Sequence, residues 1–259
     1  MYQHLIFEKS DGVARITLNR PDVYHALSPA LIAEITMAVQ TAGDDNSVRA
    51  VLLTATGDKA FCSGADLKEA AASGKSAGEI LRDYYEPMIN AIRDIPKPVV
   101  CRMNGLAVGA GCSLALACDV VIASEDAYMS LLFVQIGLMP DAGATFMLPR
   151  LIGIARSFEL ASTGRRIYPV EAQEIGLIAK AVTPEHLDKE TERLITHYRH
   201  APTQAVGAMK HAFNQSMHSN LPQMLERERE SQETLFGTKD AAEGIAAFLE
   251  KRKPDFQGN

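Results

Sequence analysis

Asp141 is the single carboxylate in a mostly apolar stretch, QIGLMPDAGATFMLPRLIG, at 135–153. It stands between Pro140 and Ala142-Gly143. A carboxylate desolvated by apolar neighbours has a raised pKa and can act as a base near neutral pH. Phe133, Leu138 and Met139 are the neighbours expected to do this. The position also suits a helix N-cap, since an Asp after Pro can accept from the free N–H groups of a helix beginning at Ala142, worth roughly 1 kcal/mol. That helix start would favour the ionised form and oppose desolvation. The sequence leaves the direction of the shift open.

Two further segments, FCSGADL at 61–67 and NGLAVGAGCSLA at 104–115, each set a glycine-rich turn before a helical pattern. Such turns let the backbone approach a ligand, and free N–H groups at a helix start are donors for an oxygen that gains negative charge. Each reads equally as a tight turn or a close helix–strand contact. Other motifs fail on their spacing. SGKS at 73–76 lacks the first glycine of a phosphate loop, because Glu69 stands there. GAGCSL lacks the third glycine of a dinucleotide fingerprint, which is Leu114. His197 and His200 share a helix face without a third ligand, so a solvated surface and no metal site are expected. No G-x-S-x-G elbow is present.

The elements that must position these residues can be read locally. Asp11-Gly12 between two apolar runs marks a hairpin. Ser28 and Pro29 open a helix with Leu31, Ile35 and Val39 on one face. VRAVLLTA reads as a buried strand, and GDKAFCSGADLKEA as a loop. Ser76 and Glu79 form a capping box for a helix running to about Arg93. IPKPVVCRMNG is a strand entered through two prolines, and GAGCSLALACDVVIA a helix followed by a strand. Beyond Ile152, helices are expected at 153–163, 169–175, 186–200, 203–217, 221–235 and 239–250, with one strand near LIAKAV. Alternation followed by helices argues an α/β fold with a helical C-terminal part.

With 259 residues and 47% hydrophobic composition, the chain can bury a substantial core. A net charge of −6 and the lack of a Lys/Arg run argue against nucleic-acid binding. No apolar run is long enough to span a bilayer, and MYQHLIFEKSDG lacks the pattern of a signal peptide. Cys62, Cys101, Cys112 and Cys118 form no C-x-x-C pair and read as reduced thiols, so a cytoplasmic location is expected.

In order and content these segments resemble the crotonase superfamily, the enoyl-CoA hydratase/isomerase family. The resemblance runs almost end to end, through ITLNRPDVYHAL, FCSGADL, IPKPVVCRMNGLAVGAGCSLALACDVVIAS, IGLMPDAGATFMLPRLIG, EAQEIGLIAKAV and EGIAAFLEKRKPDF. It implies a spiral of strand-strand-helix turns at 1–195 and a C-terminal helical oligomerisation region at 196–259, building a homotrimer or a dimer of trimers. It also implies an acyl-CoA thioester substrate and no separate cofactor, coenzyme A being part of the substrate. On this resemblance the N–H groups of Ala65, after Gly64, and Ala110, after Gly109, form an oxyanion hole. Asp22 to Ala26, with Ser63, Asp66 and Leu67, line the CoA path, where His25 replaces a common Asn. Phe248 and Lys251 near the tail reach CoA, within the subunit or across a subunit boundary.

The departures from the family pattern bear on the reaction. A hydratase uses two glutamates, one after the GAGC turn and one before GLMP. Here those positions hold Ser113 and Phe133, both expected to line the substrate, with Ser113 a candidate to hold a water. Standard hydration is therefore not expected. PDAGAT resembles the phenylacetate-pathway type of enoyl-CoA isomerase, which implies Asp141 as the base. The expected activity is double-bond isomerisation, with hydration and non-catalytic acyl-CoA binding as alternatives. The segment EAAASGKSAGEILRDYYEPM is expected to shape the acyl pocket.

Overall fold

The hairpin expected at Asp11-Gly12 opens the fold. Both residues have positive φ, 54° and 77°, as a two-residue turn between twisted antiparallel strands requires. The computed structural model describes residues 2–259. Its strands, in chain order, are β1 (Leu5–Ser10), β2 (Val13–Leu18), β3 (Ala50–Ala55), β4 (Ala60–Cys62), β5 (Val99–Met103), β6 (Leu106–Val108), β7 (Val120–Ser124), β8 (Met129–Ser130), β9 (Arg166–Ile167) and β10 (Lys180–Val182). Its helices are α1 (Pro29–Asp44), α2 (Leu67–Ala72), α3 (Ala77–Ile80), α4 (Glu86–Asp94), α5 (Ala110–Ala117), α6 (Ala144–Ile152), α7 (Ile154–Thr163), α8 (Pro169–Glu174), α9 (Pro184–Arg199), α10 (Thr203–Ser216), α11 (Leu221–Phe236) and α12 (Lys239–Glu250).

The chain alternates between two sheets. One has the order β1-β2-β3-β5-β7-β10 and the other β4-β6-β8-β9. Each pass places one strand in each sheet, β3 then β4, β5 then β6, β7 then β8. This is the strand-strand-helix spiral that the resemblance implies. From β2 to β10 the first sheet is parallel, with β1 antiparallel at its edge. β3 is buried on both faces. Val51, Leu53 and Ala55 join the main core, while Ala50 and Leu52 pack with Ile195 of α9. That explains its unbroken apolar run.

Local signals placed the helices well. Ser28 accepts from the Leu31 N–H at 3.2 Å, and Leu31, Ile35 and Val39 are buried. Ser76 and Glu79 close the capping box. The helix they open is not uniform, since Leu81–Tyr85 forms a wider π-type turn between α3 and α4. β4, within the segment expected to be a loop, pairs with β6. The expected boundary at 195 falls inside α9, which lies across the sheet with Ile195 1% exposed. Among the described residues no helix is long and apolar enough to cross a membrane.

Candidate active site

The two glycine-rich turns meet. Gly64 has φ +91°, and a Cβ there would lie 2.7 Å from the Val108 carbonyl oxygen and 3.3 Å from the Ala110 nitrogen. Only glycine permits both that backbone and that approach. Gly111 is held as closely, because its Cβ would fall 2.2 Å from the Cys62 carbonyl oxygen. α5 is thereby pressed end-on against the strand leading to Ala65.

Among the described residues the neighbouring amides of Ala65 and Ala110 are left free. Leu27 N–H donates to Gly64 O at 2.7 Å and Asp66 N–H to Leu27 O at 3.0 Å, so this bridge passes over the Ala65 N–H. Ala110 is the first residue of α5, where backbone N–H groups have no partner within the helix. Preorganised donors of this kind suit an oxygen that becomes an oxyanion.

Asp141 is not the cap of the helix that follows it. Ala142 and Gly143 both take left-handed backbone, φ 48° and 82°. This moves the start of α6 to a Gly143 cap that carries no side-chain bond. What the loop fixes is the Asp141 carbonyl, which accepts from Ser113 Oγ at 2.9 Å and from Ala144 N–H at 3.0 Å. The carboxylate Oδ1 is buried and has no hydrogen-bond partner among the described residues. Burial raises the Asp141 pKa to about 6. Of the two opposed influences, desolvation prevails over the helix start, since the side chain is not engaged by it.

The site's apolar wall differs from expectation. Phe133 is buried, and its ring tip would lie 3.9 Å from a Cβ at Gly109, so it packs against the glycine turn before Ala110. Leu138 and Met139, expected to desolvate Asp141, are 55% and 69% exposed instead. They follow a short turn, Leu132–Ile136, that ends in a left-handed Gly137 and turns them outward. Ser113, expected to contact substrate or hold a water, is fully buried and has its hydroxyl committed to the Asp141 carbonyl.

The 20–27 loop is built from contacts that sequence reasoning did not identify. Arg20 donates to Ala26 O at 2.5 Å and pairs with Asp66 at 3.0 Å and Glu69 at 2.7 Å. Asp66, expected on the CoA path, also caps α2 through the Glu69 N–H at 3.2 Å. His25 is 2% exposed. Its Nδ1 accepts from Arg20 N–H at 3.0 Å, which leaves Nε2–H to donate to Thr56 O at 3.1 Å. Burial lowers its pKa, so the ring is a neutral pin for the loop. Asp22 lies exposed in a single tight turn, Pro21–Val23. Ala26 is buried, and Ser63 donates to Val23 O at 3.2 Å. Leu67 is 58% exposed at the start of α2. Local patterns signal none of the Arg20 contacts, because its partners lie up to 49 residues away.

Some expected residues are not brought to this place. Phe248 is 82% exposed on α12, and Lys251 caps that helix in left-handed backbone. Within the single chain, neither is joined to the Ala65–Ala110 pair by any described hydrogen bond or ion pair. Two clefts lie elsewhere. One of about 600 Å³ is lined by Arg93, Phe146, Tyr198, Lys210 and Phe213. Another, of about 510 Å³, is bounded by α10, α11 and α12. All four cysteines are free and buried. Burial pushes Cys62 and Cys112, which flank the two glycine turns, up to about 12.

A model of the enoyl-CoA hydratase/isomerase family matches residues 8–259. The chain is 42% identical over 257 residues to a probable enoyl-CoA hydratase of Rhodobacter capsulatus, covering 99% of each. It is 34% identical over 262 residues to the 1,2-epoxyphenylacetyl-CoA isomerase of Escherichia coli, covering 100% of each. The crystal structure of an enoyl-CoA hydratase from Bacillus anthracis superposes with a TM-score of 0.92 at 35% identity, covering 99% of this chain and 100% of that one. With the spiral fold and the paired free amides already in place, these similarities lead to one conclusion: the chain belongs to the enoyl-CoA hydratase/isomerase family.

Proposed function

We propose that this protein moves the double bond of an enoyl-CoA thioester, with Asp141 as its only acid–base group. The observation that carries this reading is the Asp141 Oδ1, buried, unpaired and free of the helix cap. Asp141 removes a proton from the carbon next to the thioester. The N–H groups of Ala65 and Ala110 hold the resulting dienolate oxygen, and the same carboxyl returns the proton further along the chain. Each such donor is typically worth about 3–4 kcal/mol in the transition state. The chemistry moves one proton and needs no cofactor beyond the coenzyme A of the substrate.

Ser113 and Phe133 support isomerisation over hydration. A buried hydroxyl committed to a carbonyl and a phenyl ring offer no carboxylate to activate water. The relatives include both a probable enoyl-CoA hydratase and a 1,2-epoxyphenylacetyl-CoA isomerase, so the preference for isomerisation rests on these two residues and Asp141. Assembly into a trimer or a dimer of trimers is supported by the large apolar side chains left exposed, among them Ile154, Phe158, Phe213, Phe236 and Phe248. A cytoplasmic location is supported by the four free thiols.

The test is turnover of a panel of enoyl-CoA esters in deuterated water, with products identified by mass. Wild type is expected to shift the double bond and incorporate deuterium, and Asp141→Asn to do neither while still binding the ester. Unchanged turnover in Asp141→Asn sinks the assignment. Rapid loss of the conjugated absorbance of crotonyl-CoA would establish hydration instead. Affinity without any exchange would make the protein a binding module.

A further inference from the structure

Tyr85 closes the widened Leu81–Tyr85 turn. Its side chain is 4% exposed, and its hydroxyl has no hydrogen-bond partner among the described residues. Buried phenols usually find a partner, and leaving one unmet is costly. π-type turns recur where a helix is reshaped to present a side chain at a functional site.

Ile89, one turn on from Tyr85, would lie 3.5 Å from a Cβ at Gly143, two residues from Asp141, and Tyr85 shares one buried cluster with Cys62, Ala110 and Phe133. Burial first, and then the charges of Cys62, Asp141 and Asp66, hold its pKa well above the usual phenol range. It is therefore a neutral donor near neutral pH, where Asp141 is largely ionised. Cys62 leads into the Ala65 turn, and Asp141 carries the other unmatched buried oxygen of this region. Two orphaned polar atoms, one donor and one acceptor, are thus carried by elements that pack into the same buried cluster as Ala110. Three more buried atoms lack partners, but Asn104 donates to Ala55 and Gly57, while Thr191 and Arg199 belong to α9.

We propose that Tyr85 is a specificity-determining residue whose hydroxyl donates to an oxygen borne on the acyl chain, so that the favoured substrates are oxygenated acyl-CoA thioesters. The inference rests on the assignment of the acyl site to Asp141 and the two amides. The thioester oxygen is already served by Ala65 and Ala110, so the phenol answers a second oxygen, a hydroxyl or keto group along the chain. A plain hydrocarbon chain leaves this donor buried and unmatched, and a polar group stranded in that way is what makes a site reject the analogue lacking the partner.

The experiment compares hexenoyl-CoA with its hydroxylated and keto derivatives, using wild type, Tyr85→Phe and Asp141→Asn. Wild type is expected to favour an oxygenated ester. Tyr85→Phe should lower kcat/KM for that ester about 10- to 100-fold and change the hydrocarbon ester less than about threefold. It should also raise the Tm, because an unmatched buried hydroxyl is gone. Equal losses on both esters, or no loss on the oxygenated one, overturns the proposal. So does a wild-type preference for the hydrocarbon, a result that needs no variant. Deuterium exchange into saturated hexanoyl-CoA separates the two assignments. It should vanish in Asp141→Asn and persist in Tyr85→Phe. Exchange that survives in Asp141→Asn removes the base, whereas an unchanged ester preference in Tyr85→Phe removes the specificity role alone.

Discussion

Ser113 Oγ donates to the carbonyl oxygen of Asp141 at 2.9 Å. The residue standing where a hydratase would carry its first glutamate therefore holds the loop that bears the remaining carboxylate. On the proposed mechanism it acts on the reaction through another residue, by fixing the backbone that carries Asp141.

Ser113→Ala should therefore lower kcat about tenfold with little change in KM, and cost about 1 kcal/mol of stability for the lost buried bond. The Asp141 carbonyl keeps its bond from Ala144 N–H at 3.0 Å, so the loop stays folded. Steady-state kinetics and a thermal melt of the variant check both numbers. A rise in KM alone would point to substrate contact instead.

Activity should rise with pH through a midpoint set by Asp141, whose pKa is raised to about 6. Only the ionised carboxyl can take a proton, so turnover is lost below that pH. Stability should run the other way. The folded carboxyl binds its proton more tightly than the unfolded one, whose value is near 3.8. Stability thus falls as pH rises through that window, and the cost is complete above about pH 6. After allowance for solvent screening, Asp141→Asn should recover on the order of 1–2 kcal/mol at pH values above the window relative to values below it. Urea melts of both proteins on each side of the window measure this.

Gly64→Ala should damage fold and function together. The added Cβ would lie 2.7 Å from the Val108 carbonyl and demand φ +91° of an L-residue. A loss of more than about 2 kcal/mol is expected, with turnover near background. Gly74→Ala is the control. Its φ is +69° but nothing lies within 4 Å of the new Cβ, so only the milder backbone strain should register and activity should be retained. Melts of the two variants, with their turnover, make the comparison.

His25→Ala should raise KM for the ester several-fold and leave kcat largely unchanged. The ring pins the 20–27 loop through Arg20 N–H and Thr56 O and takes no proton itself. A matching fall in kcat, read from full saturation curves, would place it nearer the chemistry.

Local signals made much of the fold legible. The Ser28 cap, the Ser76–Glu79 box and the helices after Ile152 depend on residues a few positions apart, and the structure reproduces them closely. β6, β8 and β9 escaped notice because they are two or three residues long, too short for an alternating pattern. Of the site, the two glycine turns and Asp141 could be picked out. The cap reading of Asp141 failed because Ala142 adopts left-handed backbone, φ 48°, which an alanine rarely does and which nothing in Pro-Asp-Ala-Gly announces. The Ser113–Asp141 and Arg20–Asp66 contacts join residues 28 and 46 positions apart. Only the folded chain reveals them.

The buried thiols bear on the survival of a protein that handles conjugated thioesters. Such compounds are electrophiles, and they add to thiolates rather than thiols. Cys62 and Cys112 flank the two glycine turns, yet they are 0% and 1% exposed, and burial pushes both thiols up to about 12. Their Sγ–H groups are occupied with the His25, Ala107 and Ser130 carbonyls. On the proposed assignment of the site, the sulfur nearest the acyl chain is thus shielded from alkylation, and a Michael acceptor held there leaves the protein intact.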